Sequence, residues 1–103
     1  MITEAGGKAI GLKADVTKAE EIKRTGDEAR RKFGDVTILI NNAGICFCKS
    51  LEEIKDNQAD LTYRVNVMAH GITVREFLPA MKKKDHGHIV TIASIAGTIS
   101  VPN

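Results

Sequence analysis

Apolar positions along the chain change period several times, and each change marks an element. From Lys8 to Ala14 they alternate loosely at Ala9, Ile10, Leu12 and Ala14, the pattern of a strand after the Gly6-Gly7 turn. Ile2 to Ala5 reads as the last turn of a helix with a glycine cap. The spacing then becomes helical: Ala19, Ile22, Gly26, Ala29 and Phe33 share one face, and Gly34 ends the run. Thr17-Lys18-Ala19-Glu20 just ahead has the form of a capping box. Val36 to Ile40 is a short, β-branched run that predicts a buried strand. Ser50-Leu51-Glu52-Glu53 looks like a second capping box, opening a short helix.

A long helix is expected from about Asn57 to Lys83. Leu61, Val65, Met68, Ala69 and Ile72 form one apolar stripe, and Val67, Val74, Phe77 and Met81 another, so more than one face needs cover. Pro79 should bend this helix or loosen its final turns. A third strand, His88 to Ala93, runs into the small-residue loop Ser94 to Gly97. The order β-α-β-α-β predicts an α/β fold whose parallel strands are joined by right-handed crossovers.

Composition narrows the function classes. At 103 residues the chain allows one domain, 1–103. It is 43% hydrophobic and 27% charged, an ordinary globular balance. A net charge of +2 and few aromatic residues give no basis for nucleic-acid binding. Lys82-Lys83-Lys84 reads as the solvated C-terminal turn of a helix, where cations suit the dipole. Cys46 and Cys48 are spaced too tightly for an ordinary disulfide, and they lack a second pair to complete a zinc site. His86 and His88 lack further ligands, so no metal site is expected. Reduced thiols suit a cytosol-facing protein. No apolar stretch is long enough to cross a bilayer.

The candidate chemistry gathers where strands end. Val36-Thr37-Ile38-Leu39-Ile40 runs directly into Asn41-Asn42-Ala43-Gly44, and ligands of open α/β sheets sit at such strand ends. Asp15-Val16 closes the earlier strand, Asn66 lies within the long helix, and Ile92-Ala93-Ser94-Ile95-Ala96-Gly97 closes the last strand. In this order the four segments resemble the short-chain dehydrogenase/reductase family. His86 to Ser94 and Phe77-Leu78-Pro79-Ala80-Met81 look most like its 17β-hydroxysteroid and retinol dehydrogenase branch.

The resemblance implies the central part of a Rossmann-like doubly wound parallel sheet, strands 3, 4 and 5 with their helices. It implies NAD or NADP as cofactor and hydride transfer to or from a hydroxyl or carbonyl on a lipophilic substrate, a steroid or retinoid. Asp15 and Val16 would meet the adenine end of the cofactor, and Asn42, Ala43 and Gly44 would bring backbone close to it. Asn41 would tie strands together. Asn66 would hold a water of the proton relay through its backbone carbonyl, and Ser94 would hydrogen-bond the reacting oxygen. The long 57–83 helix would build a homo-oligomer interface. Localisation would be cytoplasmic, with any attachment to the endoplasmic reticulum or lipid droplets made through segments outside these residues.

Each role also has a plainer reading: Asp15 as a turn former, Asn41 to Gly44 as a simple turn, Asn66 as a solvent-facing side chain. Two family features are missing from these 103 residues. No Gly-rich G-x-x-x-G-x-G turn occurs, and Tyr63 is followed four residues on by Val67, so no Tyr-x-x-x-Lys proton donor occurs either. A non-catalytic chain that acts only by association is therefore the rival reading.

In the family the strand order is 3-2-1-4-5-6-7, so strand 3 is separated from strand 4 by two strands. Strand 3 can close against strand 4, another chain can fill the space, or the space stays open. The purified 103-residue polypeptide is expected to self-associate through its bare strand edge and to turn over no secondary alcohol. Sedimentation and a nicotinamide absorbance assay check this. A monodisperse, cooperatively unfolding monomer would refute the first part, and steady turnover the second.

Overall fold

The computed structural model describes residues 1–99; the last four residues of the expected 1–103 domain lie outside the described residues. The first turn, Met1 to Gly7, closes as a helical C-terminus should. Gly7 N–H donates to the Ile2 carbonyl and Gly6 N–H to the Thr3 carbonyl, at 2.9 and 3.1 Å. This paired arrangement needs Gly6 in the left-handed region, where it lies at φ +82°.

Helix α1 spans Ala19–Phe33 and strand β1 Ile38–Asn41. A continuous helical stretch follows: α2, Asp56–Tyr63, a π-helical turn, Arg64–Met68, and α3, Ala69–Lys83. Strand β2, His88–Thr91, and a short 3₁₀ turn, Ile95–Gly97, complete the described residues. The two strands pair in parallel, with Ile38 opposite His88 and Asn41 opposite Thr91.

Three expected elements differ. Residues 8–14 form no strand: among the described residues the sheet holds β1 and β2 alone. An extended segment becomes a strand only when a neighbour takes its N–H and C=O groups, and no strand lies beside this segment among the described residues. Here side chains of α1 hold it instead. Arg24 Nη2 donates to the Lys13 carbonyl at 2.8 Å, and Asp15 N–H donates to Glu21 Oε2 at 2.8 Å.

The Thr17–Glu20 capping box does not form either, because Asp15 competes for the hydroxyl. Asp15 Oδ1 accepts from both Thr17 Oγ1 and Thr17 N–H, at 2.7 and 2.9 Å, and Lys18 becomes the N-cap. The third difference is at Ser50, whose carbonyl starts only a single turn, accepting from Glu53 and Ile54 N–H. The long helix starts at Asp56, with Gln58 Oε1 accepting from Lys55 N–H at 3.2 Å. It runs through Pro79 to Lys83.

The core sits between α1, α3 and one face of the sheet. Ile22, Leu39, Val65, Ala69 and Met81 are its buried apolar members. Helices α1 and α3 approach closely at Gly26, where a Cβ would come within 2.8 Å of the Glu76 carboxylate. Glu76 Oε1 accepts from Arg30 Nη2 at 2.5 Å across the same contact, and Arg30 also lies 5.9 Å above the Phe77 ring. Asp35 and Lys84 pair at 2.9 Å, linking the approach to β1 with the end of α3. The other sheet face is uncovered: Ile38 and Ile40 are each 58% exposed.

Two glycines give opposite expectations for an added methyl group. At Gly87 a Cβ would sit 2.6–2.7 Å from Met81 Cγ and Cβ, inside a side chain that is itself buried. Gly71 lies within α3 and faces open space. Gly87→Ala should destabilise the fold by about 1–3 kcal/mol. Gly71→Ala should stabilise it by roughly 0.5–1 kcal/mol through helix propensity. Urea unfolding followed by circular dichroism checks both signs.

Candidate active site

Parallel pairing places the carboxyl ends of β1 and β2 side by side, and the chain leaves both through small residues. Asn42, Ala43 and Gly44 follow β1, while Ile92, Ala93 and Ser94 follow β2. Between the two loops lies an open cleft of about 710 Å³. The helical stretch supplies the third wall. Thr62, Asn66 and His70, four residues apart, face the cleft from α2, the π turn and α3. Asn42, Ala43, Gly44, Asn66 and Ser94, expected to act together, do line one cavity.

Asn66 fixes the geometry of that cavity. Its Oδ1 accepts from Ile45 N–H at 2.9 Å, and its Nδ2 donates to the Ile45 carbonyl at 2.8 Å. The side chain thus replaces a missing backbone partner and pins the loop after Gly44 to the π turn. Asn66 is half-buried with both ends of its amide hydrogen-bonded, so the plainer alternative of a solvent-facing side chain does not hold. Its flanks are unequal, since Val65 is buried whereas Val67 is exposed.

Asn41 ties the strand ends to the helix behind them. Its carbonyl accepts from Ile92 N–H at 2.9 Å, and its Oδ1 accepts from Thr73 Oγ1 at 2.6 Å. Its Nδ2 is buried without a partner among the described residues. Ser94 is exposed, and its Oγ accepts from Ala96 N–H at 3.2 Å, which fixes the oxygen and leaves the hydroxyl proton available to donate.

Val16 faces an adjoining cavity of about 90 Å³, bounded also by Asn42, Ala43 and His70. Asp15 lines neither cavity; it stands one residue outside, held in its turn by Thr17. Hydrogen bonds from the Thr17 hydroxyl and amide, assisted by the charges of Lys18 and Arg64, hold the Asp15 carboxyl below its ordinary range. The bond from Asp15 N–H, with Lys18 nearby, does the same for Glu21.

A Cβ at Gly44 would stand 3.6 Å from Asn66 Oδ1, so a longer side chain there would project toward the clamp and narrow the cleft. Thr62, His70 and Thr91, which no sequence motif singles out, also line the cavity, as does Cys46. The fourfold spacing of Thr62, Asn66 and His70 on one helix was the available signal.

The family model for short chain dehydrogenase matches residues 1–103. Estradiol 17-beta-dehydrogenase 11 of Homo sapiens is 44% identical over 105 residues, covering 97% of this chain and 35% of that protein. 17-beta-hydroxysteroid dehydrogenase 13 of Homo sapiens is 39% identical, with 97% and 35% covered. Among solved structures, an alcohol dehydrogenase from the archaeon Thermococcus sibiricus, complexed with 5-hydroxy-NADP, superposes with a TM-score of 0.86 at 27% identity, covering 98% of this chain and 43% of that one.

The chain belongs to the short-chain dehydrogenase family, in the branch that holds the 17β-hydroxysteroid dehydrogenases. It spans about a third of the length of these curated relatives. Among the described residues no helix is long and apolar enough to cross a membrane, and no group of three or more metal-ligating side chains is found.

The Asp15–Glu21 collar should be acid-sensitive. Both carboxyls have lowered folded values, so their contribution is complete above the ordinary carboxylate range and is lost as pH falls through those lowered values. Amide NMR shifts of Asp15 and Thr17 should titrate with midpoints below the ordinary values of these carboxyls. Midpoints at the ordinary carboxylate value would mean that the collar is absent in solution.

Proposed function

We propose that this chain forms the central part of an oxidoreductase that transfers a hydride between NAD or NADP and a hydroxyl or carbonyl on a lipophilic substrate, a steroid or retinoid. The observation that carries the reading is the single cleft at the strand ends, lined together by Asn42, Ala43, Gly44, Asn66 and Ser94. The nicotinamide cofactor, when bound, accepts or donates the hydride. Relatives named for estradiol and 17β-hydroxysteroids support the substrate class.

The chain's own residues bind and orient. Asn42 to Gly44 present backbone and small side chains to the cofactor, with Val16 and Asp15 toward its adenine end. Ser94 Oγ donates a hydrogen bond to the substrate oxygen, lowering the cost of charge that develops there during transfer. Asn66 spends its side chain on Ile45, and in this reading its backbone carbonyl holds a relay water. The proton itself needs a partner from outside these residues, because the only tyrosine, Tyr63, has Val67 where the family has lysine.

A second reading rests on a different observation. Leu61 and Met68 on one apolar stripe of the 57–83 helix, and Val67 on the other, are 42–50% exposed, so apolar surface of this helix remains open among the described residues. We propose that this surface joins copies of the protein into a homo-oligomer, and it would serve equally in a chain that acts only by association. The setting proposed is cytoplasmic, with any membrane or lipid-droplet contact made through other segments.

The test is a chimaera in which this segment replaces the matching third of a 17β-hydroxysteroid dehydrogenase. Ser94→Ala in that enzyme should lower kcat by about 10²-fold or more while cofactor affinity stays nearly constant. An unchanged kcat would remove Ser94 from the reacting oxygen and leave the association reading standing.

A further inference from the structure

Cys46 and Cys48 stand on the loop that leaves Gly44, and hydride transfer uses neither. Their sulfurs lie 3.9 Å apart, and both residues are exposed. The loop folds tightly to bring them together: Lys49 N–H donates to the Phe47 carbonyl at 2.8 Å, a three-residue turn centred on Cys48. On the preceding side, Asn66 grips both backbone groups of Ile45, so the chain entering Cys46 is anchored to the helix. Cys46 also lines the cleft, which places the pair at its rim.

We propose that Cys46 and Cys48 form a redox-active dithiol that exchanges with low-molecular-weight disulfides at the rim of the cleft. One cysteine, as its thiolate, attacks a sulfur of R–S–S–R, forming a mixed disulfide and releasing one R–S⁻. The other cysteine loses its proton, displaces the second R–S⁻ and closes the Cys46–Cys48 bond. The two cysteine protons end on the two released thiolates. The protein dithiol is oxidised by two electrons, and the external disulfide is reduced to two thiols.

The observed 3.9 Å must shorten to about 2.05 Å for the bond to form. A ring spanning one intervening residue is strained, and strained, exposed disulfides have high potentials. The pair is therefore suited to reversible switching rather than to stapling the fold.

The experiment equilibrates the 103-residue chain with mixtures of reduced and oxidised glutathione, quenches with acid and weighs the products by mass spectrometry. The same chain in guanidinium chloride is the reference, since any C-x-C peptide can oxidise to some degree. Prearrangement by the folded loop should raise the equilibrium constant for the intramolecular disulfide about tenfold over the unfolded chain, as a higher effective concentration does. Cys48→Ser should yield the glutathione adduct alone. Asn66→Ala, with helix content verified by circular dichroism, should pull the constant back toward the unfolded value. Equal constants in folded and unfolded chain, or adducts and interchain disulfides only, would overturn the proposal.

Discussion

Parallel pairing of β1 and β2 is the constraint from which the other features follow. Two antiparallel strands can be joined by a tight turn, but two parallel strands need a connection that returns the chain to the starting end. Here that connection is the helical stretch from Asp56 to Lys83, lying behind the sheet and covering Leu39. The same pairing brings Asn41 and Thr91 into register, so both strands release their chains at one edge. The cleft is the space between those released loops, and the crossover helix closes it from behind.

Asparagine side chains do at this edge what backbone cannot. Once the chain leaves the ladder, its N–H and C=O groups need other partners. Asn66 supplies both for Ile45, and Asn41 links the end of β1 to Thr73 on α3 while its backbone meets Ile92. The π turn at Arg64–Met68 lies where Asn66 makes this reach, consistent with the frequent use of such widened turns at functional positions. The Asn66 side chain thus fixes the loop that leaves Gly44 to the helical stretch.

The molecule is open compared with a self-contained domain of its mass. Its accessible surface is 8084 Å², against roughly 5,700 Å² for a compact chain of this mass. Its radius of gyration is 16.4 Å, against about 13 Å for a compact chain of this length. The excess lies in apolar places, with Ile38 and Ile40 on the uncovered sheet face and Val67 and Met68 along the helix. Burial of such surface contributes about 25 cal/mol per Å², so these faces are where further protein gains most by packing.

Local pattern determined most of the element types. The spacing of Ala19 to Phe33, the stripes of the 57–83 helix and the β-branched run before Asn41 each carry their own period, and those elements form within a few residues of expectation. The Gly6 cap was equally legible, because a left-handed position favours glycine. Candidate site residues at the strand ends were named because ligands bind there in such sheets, and Asn66, within the helix, from the family resemblance. Partnership decided the rest. Whether 8–14 is a strand depends on a neighbour and not on its alternation, and whether Thr17 caps α1 depends on Asp15 reaching it first. The Asn66 clamp on Ile45 spans 21 residues of sequence, and no local period encodes it. Nor could the chain alone reveal that Thr62 and His70 share a wall with Ser94, because that juxtaposition exists only after the crossover has brought helix and strand ends together.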